Sequence, residues 1–265
     1  MKRLIVNADD FGLTSGISRA IIECHDAGAV SSTTLLVNGL AAGEAAALAA
    51  GRPSLGVGLH FNLTFGKPVA PAGEVPSLVG ADGLFPGVAA ALLRLSTGRA
   101  RARELEIELA AQIGRCLELG FLPTHVDSHH HLHAHPRLRR LIGLIAPRMG
   151  IHRIRGYHMR IRGLKGLAIA AGAAFPAGGS LLSPDRFSGI AVMGTRNMAG
   201  WLAAELGARG DVLEFMCHPG HADEQLAAVS SYNSLRQVEF EGLLDEGFAR
   251  VIRSDGVRLM SYREL

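Results

Sequence analysis

Six of the fourteen residues from Pro123 to Pro136 are histidine, half of the twelve in the chain. His125, Asp127 and His129 alternate there behind an apolar lead-in, Phe121 and Leu122, as on a strand with one polar face. Imidazole nitrogens and a carboxylate oxygen presented together are the ligand chemistry of a divalent transition metal. A His-rich low-complexity tract would supply the imidazoles, but neither the interposed carboxylate nor the alternation. Three further apolar runs also close on polar groups: Leu4-Ile-Val-Asn-Ala on Asp9-Asp10, Leu55-Gly-Val-Gly-Leu on His60, and Val212 to Cys217 on His218. Taken singly, each has a plainer use. Asp9-Asp10 suits a capping or turn pair, His60 a satisfied rim histidine, and His218-Pro-Gly220 a turn.

The elements that must position these groups read as alternating β and α. Strands are expected over Leu4–Asp10, Ser32–Val37, Leu55–Leu63, His125–His129, Ile151–Tyr157, Gly189–Met193, Asp211–His218 and Gly256–Met260. Helical spacing links Ile17, Ala20, Ile21 and Cys24, then Ala41–Ala50, Leu105–Leu117, Leu138–Ile145 and Trp201–Leu206. A final helix capped by Ser231 or Asn233 carries Leu235, Val238 and Leu243 or Leu244. One helix is expected between Arg160 and Phe187. Gly66 to Gly87 holds four prolines with no periodicity, which suggests a lid or binding loop. Seven or eight β-α units over residues 1–265 predict one domain of α/β class, a (β/α) barrel, TIM-like and possibly irregular. In such a barrel the carboxyl ends of all strands share one face, so the four polar clusters can share a site.

The remaining composition narrows the function classes. With 48% hydrophobic and 19% charged residues the chain is globular, and a net charge of +3 with few aromatics gives no nucleic-acid platform. No run reaches the roughly 20 apolar residues of a membrane span. Cys24, Cys116 and Cys217 are far apart in apolar surroundings, so buried free thiols are expected. The N-terminus enters a strand without a signal-peptide pattern, and a cytoplasmic location follows as an expectation.

Four motifs in order, Asn7-Ala-Asp-Asp-Phe-Gly-Leu13, Gly58-Leu-His-Phe-Asn-Leu-Thr64, Thr124-His-Val-Asp-Ser-His-His-His-Leu-His133 and Glu214-Phe-Met-Cys-His-Pro-Gly220, resemble the YdjC-like carbohydrate deacetylases. The resemblance implies a barrel-like α/β fold, removal of acetyl groups from N-acetylated sugars, one divalent metal and, often, a homodimer. It makes Asp10, His60 and His129 the metal ligands, Asp9 the general base and His218 the general acid. By strand parity His131 is a substitute ligand facing with His129, while His130 points away. Asp127 is expected to orient an imidazole from behind the ligands. Of the basic residues Arg148, Arg153, Arg155, Arg160 and Arg162, only Arg155 is a candidate for substrate contact, the others reading as a solvated face.

An acetamide is a poor electrophile and water a poor nucleophile, so one metal, one base and one acid form a coherent set. Two imidazoles and a carboxylate suit zinc, cobalt, nickel or manganese, whereas the family also admits magnesium; the cofactor expectation is one divalent ion, magnesium or zinc. Chito-oligosaccharides are one substrate class in the family, and other relatives accompany hopanoid or lipid pathways. Two rivals stand beside the deacetylase: another metal-dependent hydrolase such as a phosphoesterase, and a non-catalytic metal- or sugar-binding protein.

Overall fold

In the computed structural model, which describes residues 1–158, 163–174 and 180–265, the N-terminal apolar run is the central strand of a parallel sheet. The elements are β1 (Lys2–Phe11), α1 (Ser15–Asp26), β2 (Ser32–Leu35), α2 (Ala42–Ala50), β3 (Gly56–Phe61), α3 (Val88–Ser96), α4 (Ala102–Glu118) and β4 (Val126–Ser128). They continue with α5 (Pro136–Ile145), α6 (Gly163–Ala173), β5 (Arg186–Ser188), α7 (Met198–Leu206), β6 (Val212–Cys217), α8 (Glu224–Val229), α9 (Ser234–Leu243), α10 (Glu246–Ile252) and β7 (Val257–Leu259). The strand order is β4-β3-β2-β1-β6-β5, with β7 paired to the start of β1. Every pairing is parallel, so the strands' carboxyl ends lie on one face.

Side-chain alternation divides the strands into two environments. Leu4, Val6 and Ala8 of β1, Val57, Leu59 and Phe61 of β3, and Leu213, Phe215 and Cys217 of β6 all join one apolar core with the helices. The intervening residues face the other way. Ile5 packs with Val212, Met260 and Tyr262, and beyond it Asn7, Asp9, His60, Asp127 and Glu214 bury polar groups. Gly58 makes room there, because a Cβ would lie 2.5 Å from the ring of His125, which stacks on Tyr262.

The sheet is a curled half-barrel rather than a closed ring of eight strands. Beyond β4 the segment expected as a strand over 151–157 makes only isolated bridges, Val126 to Ile154 and Arg153 to Leu182. The strand expected over 189–193 is a 3-10 turn, Ile190–Val192, between left-handed glycines Gly189 and Gly194. The His-rich strand ends at Ser128, and His130 and His131 adopt left-handed backbone (φ 57° and 58°), so strand parity does not govern them. The loop from Gly66 to Gly87 is tied down by buried carboxylates. Buried Glu108 accepts from Val69 N (2.9 Å) and Ala70 N (3.0 Å), and Glu104 from Ser77 N (2.6 Å), which fastens the loop to α4. Of the arginines read as a basic face, Arg160 and Arg162 lie outside the described residues. Among the described residues no helix is long and apolar enough to cross a membrane.

Candidate active site

Adjacent strand residues normally point to opposite faces, yet Asp9 and Asp10 both reach the same cavity. The register against β2 shows how. Ala8 pairs with Thr33 and Phe11 with Leu35, so β1 carries one extra residue across Asp9-Asp10. Asp10 takes up the irregularity in left-handed backbone, φ 68°, a conformation that Asp tolerates better than most side chains.

That turn aims Asp10 Oδ1 at two imidazoles. It lies 3.2 Å from His60 Nε2 and 2.8 Å from His129 Nδ1, and the two nitrogens are 3.4 Å apart. These three atoms therefore form a compact triangle of one oxygen and two nitrogens. Metal–donor bonds of about 2.0–2.2 Å produce ligand–ligand separations of about 3 Å, which this triangle matches. The far side of His60 is prepared for the same role. Its Nδ1 donates to Asp127 Oδ1 at 2.7 Å, and the Thr34 hydroxyl donates to Oδ2 at 3.2 Å, which fixes the ring with Nε2 toward Asp10. Burial alone would make His60 harder to protonate, but Asp127, Asp10 and Asp9 outweigh it and push the metal-free imidazole up to about 10. The residues present therefore fit a divalent cation.

Behind this cluster Arg155 is completely buried and binds three carboxylates. Nη1 and Nη2 donate to Asp9 Oδ2 and Oδ1 at 2.8 and 2.6 Å, Nη1 also lies 2.8 Å from Asp127 Oδ2, and Nε donates to Glu214 at 2.8 Å. Asp9, His60 and Asp127 also come close enough to resemble a second metal group. The guanidinium already fills it, and His60 Nδ1 carries its proton toward Asp127. Burial, reinforced by the same cation, holds His125 and His133 well below the ordinary histidine range, so these two members of the His-rich run are neutral structural groups.

On the opposite wall His218 Nε2 is 4.0 Å from Asp9 Oδ2, and its Nδ1 is 4.0 Å from Glu239 Oε1. Burial lowers His218 below its usual value, against the pull of Glu239 and Asp9. Glu239 anchors this wall, accepting from His218 N (2.7 Å), Gly194 N (2.9 Å) and the Tyr232 hydroxyl. These groups surround a cavity of about 310 Å³ that also includes Thr64, Phe65 and Arg236. It lies at the lower end of the roughly 300–1,000 Å³ usual for small-molecule sites.

The profile of the family described as YdjC-like protein matches residues 3–254. The chain belongs to the YdjC-like family. It is 39% identical over 260 residues to a carbohydrate deacetylase of Geobacillus stearothermophilus, covering 98% of this chain and 96% of that one. It is 37% identical over 268 residues to a chitooligosaccharide deacetylase of Serratia marcescens, covering 100% and 99%. A crystal structure from Enterococcus faecalis V583, of a protein provisionally named for cellobiose-phosphate cleavage, superposes with a TM-score of 0.83 at 29% identity, covering 99% of this chain and 98% of that one.

Within this YdjC-like chain the structure gathers Asp9, Asp10, His60, His129 and His218 around one cavity, with Asp127 directly behind His60. Three expectations need correction. Arg155 does not reach substrate, because it is sealed beneath the carboxylates that it joins. His131 is no substitute ligand: its left-handed backbone turns Nδ1 to the Tyr157 hydroxyl, 2.9 Å away. His130, expected to point away, lines the cavity and meets the Thr64 hydroxyl at 2.9 Å. Sequence reasoning missed Arg236, Glu239 and Tyr232. The usable signal was the polar pair three residues apart in α9, which puts both side chains on one helix face.

Proposed function

We propose that this protein is a metal-dependent deacetylase that hydrolyses the acetamide of an N-acetylated amino sugar or oligosaccharide. The observation that carries the reading is the triangle of Asp10 Oδ1, His60 Nε2 and His129 Nδ1, flanked in one cavity by Asp9 and His218. The full-length relatives named as carbohydrate and chitooligosaccharide deacetylases supply the substrate class. Asp10, His60 and His129 would hold the ion, and two nitrogens with one oxygen favour a zinc-like transition ion over magnesium. When bound, such an ion supplies Lewis acidity and lowers the pKa of water from 15.7 to about 7.

The chain's own residues do the rest. Asp9, fixed by Arg155 and by Asn7 Nδ2 at 2.9 Å, takes the proton of the attacking water. His218 gives a proton to the amide nitrogen as the C–N bond breaks, releasing acetate and a free amine. Burial makes its imidazolium the readier donor. A paired-metal phosphoesterase is disfavoured, because the place of a second ion is held by Arg155.

The test is acetate release from N-acetylglucosamine oligomers by metal-stripped protein with single metals restored. Metal-dependent acetate is the expected result. Phosphate release from aryl phosphates without any acetate would overturn the reading.

A further inference from the structure

Helix α9 sends two charged side chains inward, Arg236 and Glu239, and both are buried. The nitrogens of Arg236 have different fates. Nε donates to the Tyr232 carbonyl at 2.9 Å and Nη2 to Asp10 Oδ2 at 2.5 Å, whereas Nη1 is buried with no hydrogen-bond partner. The side chain is also held from the sides. Gly220 packs so closely that a Cβ there would lie 3.2 Å from both Cβ and Cδ of Arg236, and Cζ sits 5.3 Å from the Tyr232 ring centroid. A buried guanidinium donor without an acceptor asks for one, and this donor belongs to a residue lining the cavity with Asp10 and His218.

We propose that Arg236 is a catalytic residue whose Nη1–H receives the acetyl oxygen as negative charge develops on it, while Nη2 keeps Asp10 to a single inward-facing oxygen. The inference rests on the deacetylase reading. In the addition step the water oxygen bonds to the carbonyl carbon, the π pair moves onto the acetyl oxygen at Nη1, and Asp9 takes the water proton. On collapse that pair re-forms the carbonyl, the C–N bond breaks, and the nitrogen takes its proton from His218. Arg236 stays charged throughout. A fixed cation gains more from the developing oxyanion than from the neutral amide, so its contribution falls on kcat rather than KM.

Arg236→Lys and Arg236→Gln test this, with folding checked by thermal melting. Metal affinity is measured calorimetrically on stripped protein, and kcat and KM from acetate release at saturating metal. For a folded variant, kcat is expected to fall about 10²–10³-fold, the range for removing an oxyanion donor. KM should stay within about threefold of wild type. A kcat within about threefold of wild type in either folded variant overturns the assignment, as does a loss that disappears once metal saturates the site, which would leave Arg236 as a positioning residue for Asp10 alone. The two readings fail separately. A wild-type protein that releases no acetate with any metal refutes the deacetylase, whereas active wild type with unimpaired variants refutes only the role of Arg236.

Discussion

Arg155 grips Asp9 through both carboxylate oxygens, at 2.8 and 2.6 Å, and both side chains are buried. Burial alone would favour the protonated acid, but Arg155, helped by His60 and His218, reverses it and holds Asp9 well below the usual carboxylate range. The proposed base is therefore ionised and rotationally fixed before substrate arrives. The same guanidinium reaches Asp127, which hydrogen-bonds His60, so one cation sets the geometry of the proposed base and of a proposed ligand together.

Asp9→Asn keeps the shape of the side chain and removes its capacity to take a proton. Turnover is expected to fall by about 10²–10⁴-fold, the range for a lost general base. Metal content, measured by elemental analysis, should stay at the wild-type ratio, because Asp9 is outside the ligand triangle. Near-normal kcat in this variant would sink the assignment of the base.

His129→Ala removes one corner of the triangle, and metal should no longer be retained through dialysis. Asp127→Asn is the subtler change. It frees the His60 ring to choose the wrong tautomer, and metal affinity is expected to drop about 10–100-fold. Titration calorimetry on stripped protein reads both, and unchanged affinity in the two variants would place the ion elsewhere.

Arg155→Met leaves Asp9, Asp127 and Glu214 buried with no shared cation. Breaking a buried ion pair from one side costs about 3–5 kcal/mol, a large part of a domain's stability. Urea unfolding should show the loss in the metal-free protein, independently of turnover. An unchanged midpoint would mean that the carboxylates find another partner or take up protons.

The raised His60 pKa of about 10 gives a signed pH prediction. Its folded value exceeds the ordinary 6.5, so its stabilising contribution is complete below pH 6.5 and is lost as pH rises through about 10. Metal-free protein should therefore melt at lower temperature at pH 9.5 than at pH 7. At pH 7 to 8 the ion must displace the proton on His60 Nε2, so binding should release about one proton. Calorimetry in buffers of different ionisation enthalpy measures that release, and a buffer-independent enthalpy contradicts it.

Much of this site was legible because apolar strands end abruptly in polar groups, and a parallel sheet collects such ends on one face. Asp9-Asp10, His60 and His218 stand out on that ground alone. What escaped did so for identifiable reasons. His130 and His131 follow the last strand residue, Ser128, in left-handed backbone, where a period of two has no meaning. Arg155, set apart from its neighbouring arginines as a substrate contact, sits instead on a segment held by isolated bridges and is fully buried. In α9 the apolar residues misled: Leu235 is 45% exposed while Arg236 and Glu239 are buried. A helix that turns its charges inward defeats an amphipathic reading. Helix α3 went unassigned because it follows directly on the proline-rich loop.

The single extra residue in β1 also governs what kinds of change the site can absorb. Asp9 and Asp10 are chemically identical neighbours, and the left-handed torsion at Asp10 sends them to different partners, Asp9 to Arg155 and Asp10 to Arg236. Restoring regular pairing by deleting one residue between Ala8 and Phe11 would not trim a loop; it would turn one carboxylate out of the cavity and leave the survivor to serve as either base or ligand. Point substitutions can probe each aspartate separately, but length changes in this strand are all-or-nothing. The division of labour proposed for the two acids would thus be encoded in chain length rather than in side-chain identity.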